Sequence, residues 1–102
     1  MLYTVVLQYV RPIAEIDAHL ETHKAWLVQH TRAGRIITAG PLEPRVGGLL
    51  IVACKSRMEL DAMLAEDSYA INKLAEYEVR AFAPTLRAGA FPAEWAPDAK
   101  AV

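Results

Sequence analysis

The chain has 102 residues, 54% of them hydrophobic, with eleven Lys and Arg against twelve Asp and Glu for a formal net charge of −1. That length makes one domain, able to bury a single core and too apolar to be disordered as a whole. The balanced charge excludes the basic footprint of a nucleic-acid binder, and no run of like charges marks an interaction tail.

Residues 2–10, LYTVVLQYV, are rich in β-branched and aromatic types and predict a strand, closed by Arg11-Pro12 because proline stops a central ladder. This apolar run is too short to span a bilayer. It has no leading positive charge and no small-residue cleavage site after it, so a cytoplasmic protein without a membrane partner is expected. From about 15 to 33 the pattern turns helical, with Ile16, Leu20 and Leu27 on one stripe and Gly34 as the C-terminal stop. RIITAG (35–40) predicts a second strand, PLEPRVG a loop and GLLIVACK (48–55) a third strand. Cys54, the single cysteine, excludes an internal disulfide and reads as a buried core thiol.

Ser56 and Glu59 form the S-x-x-E of a capping box and open a second helix, which is expected to run to about Asp67 with Leu60, Met63 and Leu64 inward. EYEVRAFAP (76–84) predicts the fourth strand. The rest, TLRAGAFPAEWAPDAKAV, is Ala- and Pro-rich and expected to be irregular. Its Phe91 and Trp95 suggest docking, with a dimer partner as one surface within reach.

The order β-α-β-β-α-β, with right-handed crossovers, predicts an α+β, ferredoxin-like fold: a four-stranded antiparallel sheet with both helices on one face. The first and third strands are nearly continuous in apolar residues, which means burial on both faces. An apolar second face left in water would be abnormal for a monomer. The expected cover is a second copy, a homodimer packed sheet to sheet about a two-fold axis.

His23 lies inside the apolar arc of the first helix. At about 100° per residue, Ile16, Leu20 and Leu27 fall within about 60° of it on one side and Trp26 about 60° away on the other. His19 and His30 share the arc, nearer the predicted helix ends where water is expected to reach them. Three readings of His23 compete. It is a core-edge histidine bonded to backbone; or a metal ligand with His19 at i, i+4, though H-x-x-x-H lacks the Glu of H-E-x-x-H; or a proton-transfer group supported by a carboxylate. The candidate carboxylate is Asp67, seven residues after Leu60 and so on the inward stripe of the second helix, where an Asp also serves as a cap or turn residue. Glu66 is expected to point away into solvent.

These residues fall into a recognisable pattern. A first strand near the N-terminus leads to a helix with one inward His in HKAWL. GRIITAGPL follows, its Gly40 seventeen positions after His23, and EDSYAI precedes the last strand. Over residues 1 to about 86 the chain resembles the YCII-related family, which implies a domain over 1–86 and a C-terminal extension over 87–102. The resemblance implies a ferredoxin-like fold, a dimer of the α/β-barrel kind and a His-Asp pair in a small pocket, here His23 and Asp67. It implies that Gly40, Pro41 and Tyr69 line that pocket. Ser68 stands where the family usually has proline; it restores a backbone donor and adds a hydroxyl that can join the site. Family members are proposed to be enzymes, and one type is a dehydrochlorinase of a chlorinated hydroquinone.

The resulting expectation is a small-molecule enzyme that uses the His-Asp pair for general acid–base proton transfer, as a lyase, dehydrochlorinase or isomerase. The sequence shows no G-x-G-x-x-G, P-loop or Cys pair, so no cofactor is expected. Arg45, on the PLEPRVGG loop, is a candidate contact for an anionic substrate group. The alternative is a non-catalytic small-molecule-binding or assembly domain, since fold does not determine function.

Overall fold

The computed structural model describes residues 1–102. In chain order it has β1 (Leu2–Tyr9), α1 (Ile13–Ala18), α2 (Leu20–Arg32), β2 (Ile36–Pro41), β3 (Gly47–Val52), α3 (Arg57–Ala65), α4 (Ser68–Ile71), β4 (Ala75–Phe82), β5 (Leu86–Arg87) and β6 (Lys100–Ala101). Strands β2-β3-β1-β4 form one antiparallel sheet in that order. The predicted α+β, ferredoxin-like arrangement is what the chain adopts.

The registers explain which side chains meet. Val5 stands opposite Leu50 on one side and Val79 on the other, and Leu7 opposite Tyr77. Odd positions of β1 therefore form one apolar face. Val5, Leu7, Ile36, Leu50 and Val52 cluster there with Ile16, Trp26, Leu60 and Met63 from the helices. The opposite face carries half-buried Val6, Leu49 and Ile51, beside exposed Glu76, Glu78 and Arg80. At Gly47 a Cβ would collide with the Leu7 backbone carbonyl, so β3 can approach β1 there only as glycine.

Several boundaries differ from the sequence expectation. The predicted first helix is two helices with a break at His19, whose φ of −113° and ψ of 12° are not helical. Gly34 does close α2 with a φ of +81°. The second predicted helix stops at Ala65, and Asp67 starts the single turn α4 as its N-cap. Only half of the capping box forms: Glu59 N–H donates to Ser56 Oγ at 3.1 Å. The tail is not irregular throughout, since β5 and β6 pair in parallel. Phe91 and Trp95 pack edge to face at 5.7 Å, and Phe91 shares a recess with Leu2, Ile51 and Phe82 of the same chain. No helix is long and apolar enough to cross a membrane.

Candidate functional site

The site forms where α2 and the α3–α4 junction lie side by side over the sheet. The Trp26 indole N–H donates to the Met63 carbonyl at 3.0 Å, tying the two helical layers together. One turn before Trp26 on α2, His23 Nδ1 lies 2.7 Å from Asp67 Oδ1. Asp67 is fully buried. Its carboxylate is saturated by donors: Tyr69 N–H reaches Oδ1 at 3.1 Å, and the Tyr77 hydroxyl reaches Oδ2 at 2.6 Å. Each bond offsets part of the cost of burying a charge.

An ionised carboxylate only accepts, so the proton of the 2.7 Å bond belongs to His23 Nδ1. Nε2 then carries the lone pair. It bonds to no protein group, and His23 lines a cavity of about 270 Å³. The imidazole stacks on the Tyr69 ring at 3.9 Å with 5° between planes, which holds its orientation. Leu7, Leu20, Leu27 and Leu50 supply much of the remaining wall. Burial, with Tyr9 next in effect, pushes the Tyr69 hydroxyl up to about 12. Burial, and then the hydrogen bond to Asp67, raises Tyr77 further, so it stays a donor.

Gly40, Pro41 and Tyr69 line the cavity with His23. Ser68 directs its hydroxyl to the His19 carbonyl at 3.4 Å and is not part of the cavity wall. Arg45 lines the cavity, with Nη2 2.7 Å from Asp17 Oδ1 and the guanidinium 5.9 Å from the centre of the Tyr9 ring. The hydrogen bond to Asp17 raises its pKa further, so it is a permanent cation. Lys24 joins the same wall. Cys54 is buried, and burial pushes its thiol up to about 11, as expected of a core residue. Nowhere do three His, Cys, Asp or Glu side chains converge to hold a metal ion. His19 Nδ1 has Asn72 Nδ2 at 3.4 Å.

One expectation about the other charged residues fails, and a second holds only in part. His30 is buried, not wetted at a helix end: its Nε2 lies 2.9 Å from Glu66 Oε1, and Arg35 Nε–H donates to its Nδ1 at 2.9 Å. Glu66 faces this histidine while half of it stays in water. Tyr77 was not legible as a site residue. No feature of the sequence aims its hydroxyl at Asp67.

None of the curated proteins compared matches the chain. Among solved structures, 5-chloro-2-hydroxyhydroquinone dehydrochlorinase (TftG) from Burkholderia phenoliruptrix AC1100, in complex with 2,5-dihydroxybenzoquinone, superposes with a TM-score of 0.68. The two are 21% identical, and the alignment covers 82% of this chain and 95% of that chain. This similarity reinforces the fold. The family model for the YCII-related domain matches residues 1–83, and the chain belongs to that family.

Proposed function

We propose that this protein is a small-molecule enzyme in which His23 moves a proton and Asp67 holds its tautomer and supports the imidazolium. The observation that carries this reading is the 2.7 Å bond from Nδ1 to a fully buried carboxylate, combined with an Nε2 left free at the cavity. Nε2 takes a proton from a substrate carbon next to a carbonyl, which a phenol supplies in its keto tautomer. The released C–H electron pair either delocalises onto the carbonyl oxygen as an enolate, which the imidazolium reprotonates at another carbon, giving an isomerase, or forms a C=C bond while a leaving group departs with its own pair, giving a lyase. Dehydrochlorination, the activity in the name of the structural relative, is the second case with chloride leaving. A base placed this way contributes roughly 10²–10⁴-fold in rate.

The working unit in this reading is a homodimer, sheet to sheet. Val6 and Leu49, apolar and only half-buried on the face away from the helices, support it. Sedimentation is expected to give twice the 11.3 kDa chain mass. A monomer at micromolar concentration removes the dimer.

The chemistry is tested by chloride release from 5-chloro-2-hydroxyhydroquinone and by proton–deuterium exchange into other single-ring carbon acids. His23→Ala and Asp67→Asn are each expected to lose about 10²-fold or more. Full activity in both folded variants defeats the acid–base assignment. The mostly aliphatic cavity wall favours one alternative, a non-catalytic binding domain. Saturable ligand binding with no turnover or exchange in any arm selects it.

A further inference from the structure

We propose that the cavity admits a one-ring organic anion whose charge is held by Arg45 and Lys24. The placement of its reacting carbon against His23 rests on the acid–base reading above; the charge recognition does not. Lys24, Arg45 and His23 all line the cavity, and no Asp or Glu does, although the whole chain carries a net charge of −1. The lining thus favours anions at this opening, while the carboxylates that offset its charge lie outside it: Asp17 on Arg45, Asp67 on His23 and Glu21, 4.0 Å from Lys24. Arg45 does not swing free. Asp17 holds one of its nitrogens, Nη2, and its guanidinium sits near the Tyr9 ring. Asp17 offsets part of the charge from outside the wall, and the nearby Tyr9 hydroxyl adds a weaker contact, so two side chains hold a guanidinium with five N–H donors. Tyr69 stands in the same wall, and its hydroxyl is buried with no hydrogen-bond partner. Size narrows the class further. A cavity of about 150 Å³ accepts benzene, so 270 Å³ suits one ring with a few substituents. Carboxylate and phenolate share this chemistry.

The test is an NMR shift titration of the full chain with benzoate, with its neutral counterpart benzamide, and with 4-nitrophenol on either side of its own ionisation. Benzoate or nitrophenolate is expected to bind at least about tenfold more tightly than its neutral counterpart, as a charge-assisted contact should. The one that discriminates identifies the oxyanion. Arg45→Gln is expected to erase the preference and keep benzamide binding. Equal affinities for charged and neutral probes, or no shifts from any probe, overturn the proposal. Loss of His23–Asp67 coupling overturns only the proton-transfer reading.

A separate bond carries a second inference: Tyr77 is a positioning residue that sets the basicity of His23 through Asp67. Its hydroxyl takes up Oδ2 at 2.6 Å, opposite the oxygen that faces the histidine. A carboxylate that gives charge density to Tyr77 has less to offer an imidazolium. The other charged or titratable groups around His23 are His19 and Lys24 on its own helical layer, Tyr69 on α4, Tyr9 on β1 and Arg45 on the β2–β3 loop. None of these side chains bonds to Asp67. Tyr77→Phe is therefore expected to raise the NMR titration midpoint of His23 by about half a pH unit or more, and Asp67→Asn to lower it. Difluorotyrosine at position 77, a stronger donor of the same shape, is expected to move the midpoint down. A midpoint unmoved by both changes at position 77 shows a purely structural tyrosine and overturns the inference.

Discussion

Helix α2 offers two histidines, two turns apart, to two consecutive acidic residues, and the two pairs differ in kind. His23 meets Asp67 at 2.7 Å, and His30 meets Glu66 at 2.9 Å. The His30 side chain is the more buried, 4% exposed against 12%. Its second nitrogen accepts from Arg35, however, and its carboxylate partner is 57% exposed. The His23 partner is 0% exposed, while the second nitrogen of His23 bonds to no protein group and the residue lines a cavity. Burial of the imidazole therefore does not mark the site. A buried, saturated carboxylate on one nitrogen and nothing on the other does. The His30 pair is a brace that ties the end of α3 to α2 and, through Arg35, to the approach to β2.

The largest effect that separates the pairs is expected from Asp67→Ala. It strands the Tyr77 hydroxyl and the Tyr69 amide in the interior, and urea denaturation is expected to show a loss of about 3–5 kcal/mol. A loss below 1 kcal/mol would make the two pairs equivalent. Alkaline titration gives the next contrast. Tyr69 and Tyr77 are raised in the folded chain above the ordinary phenol value of 10.0. Folding therefore favours their neutral forms. Their contribution to stability is whole below that value and fades as pH climbs through the folded values, about 12 for Tyr69. Tyr77→Phe is expected to flatten this alkaline decline in denaturation midpoint, and His30→Leu to leave it in place. His30→Leu itself is expected to cost about 1 kcal/mol, since Glu66 and Arg35 can turn to water when their partner goes. Glu66→Gln is expected to change stability by less than about 0.5 kcal/mol, as for other half-exposed ion pairs.

His23 was legible because a polar ring in an apolar arc demands a partner, and Asp67 because it extended the Leu60 stripe. The wheel gives direction but not depth, which is why His30, on the same arc, was placed in water while it lies under Arg35 and Glu66. The break at His19 carries no proline or glycine to announce it. The turn at Asp67 was hidden for a related reason. The carboxylate that stops one helix and caps the next also serves the histidine, and one residue type fits all three duties. Strand order followed from element order and chirality. The short β5–β6 ladder joins segments too brief and too far apart to show any period.

Gly47 bears on how a saturation mutagenesis map of this chain would read. Every L-amino acid there drives its Cβ into the Leu7 carbonyl, so tolerance at position 47 should vanish even though glycine has no side chain to contact a ligand. The adjoining Gly48 borders the cavity. An intolerant tract at 47–48 would look like a recognition hot spot, yet half of it records nothing more than two backbones lying too close for a methyl group.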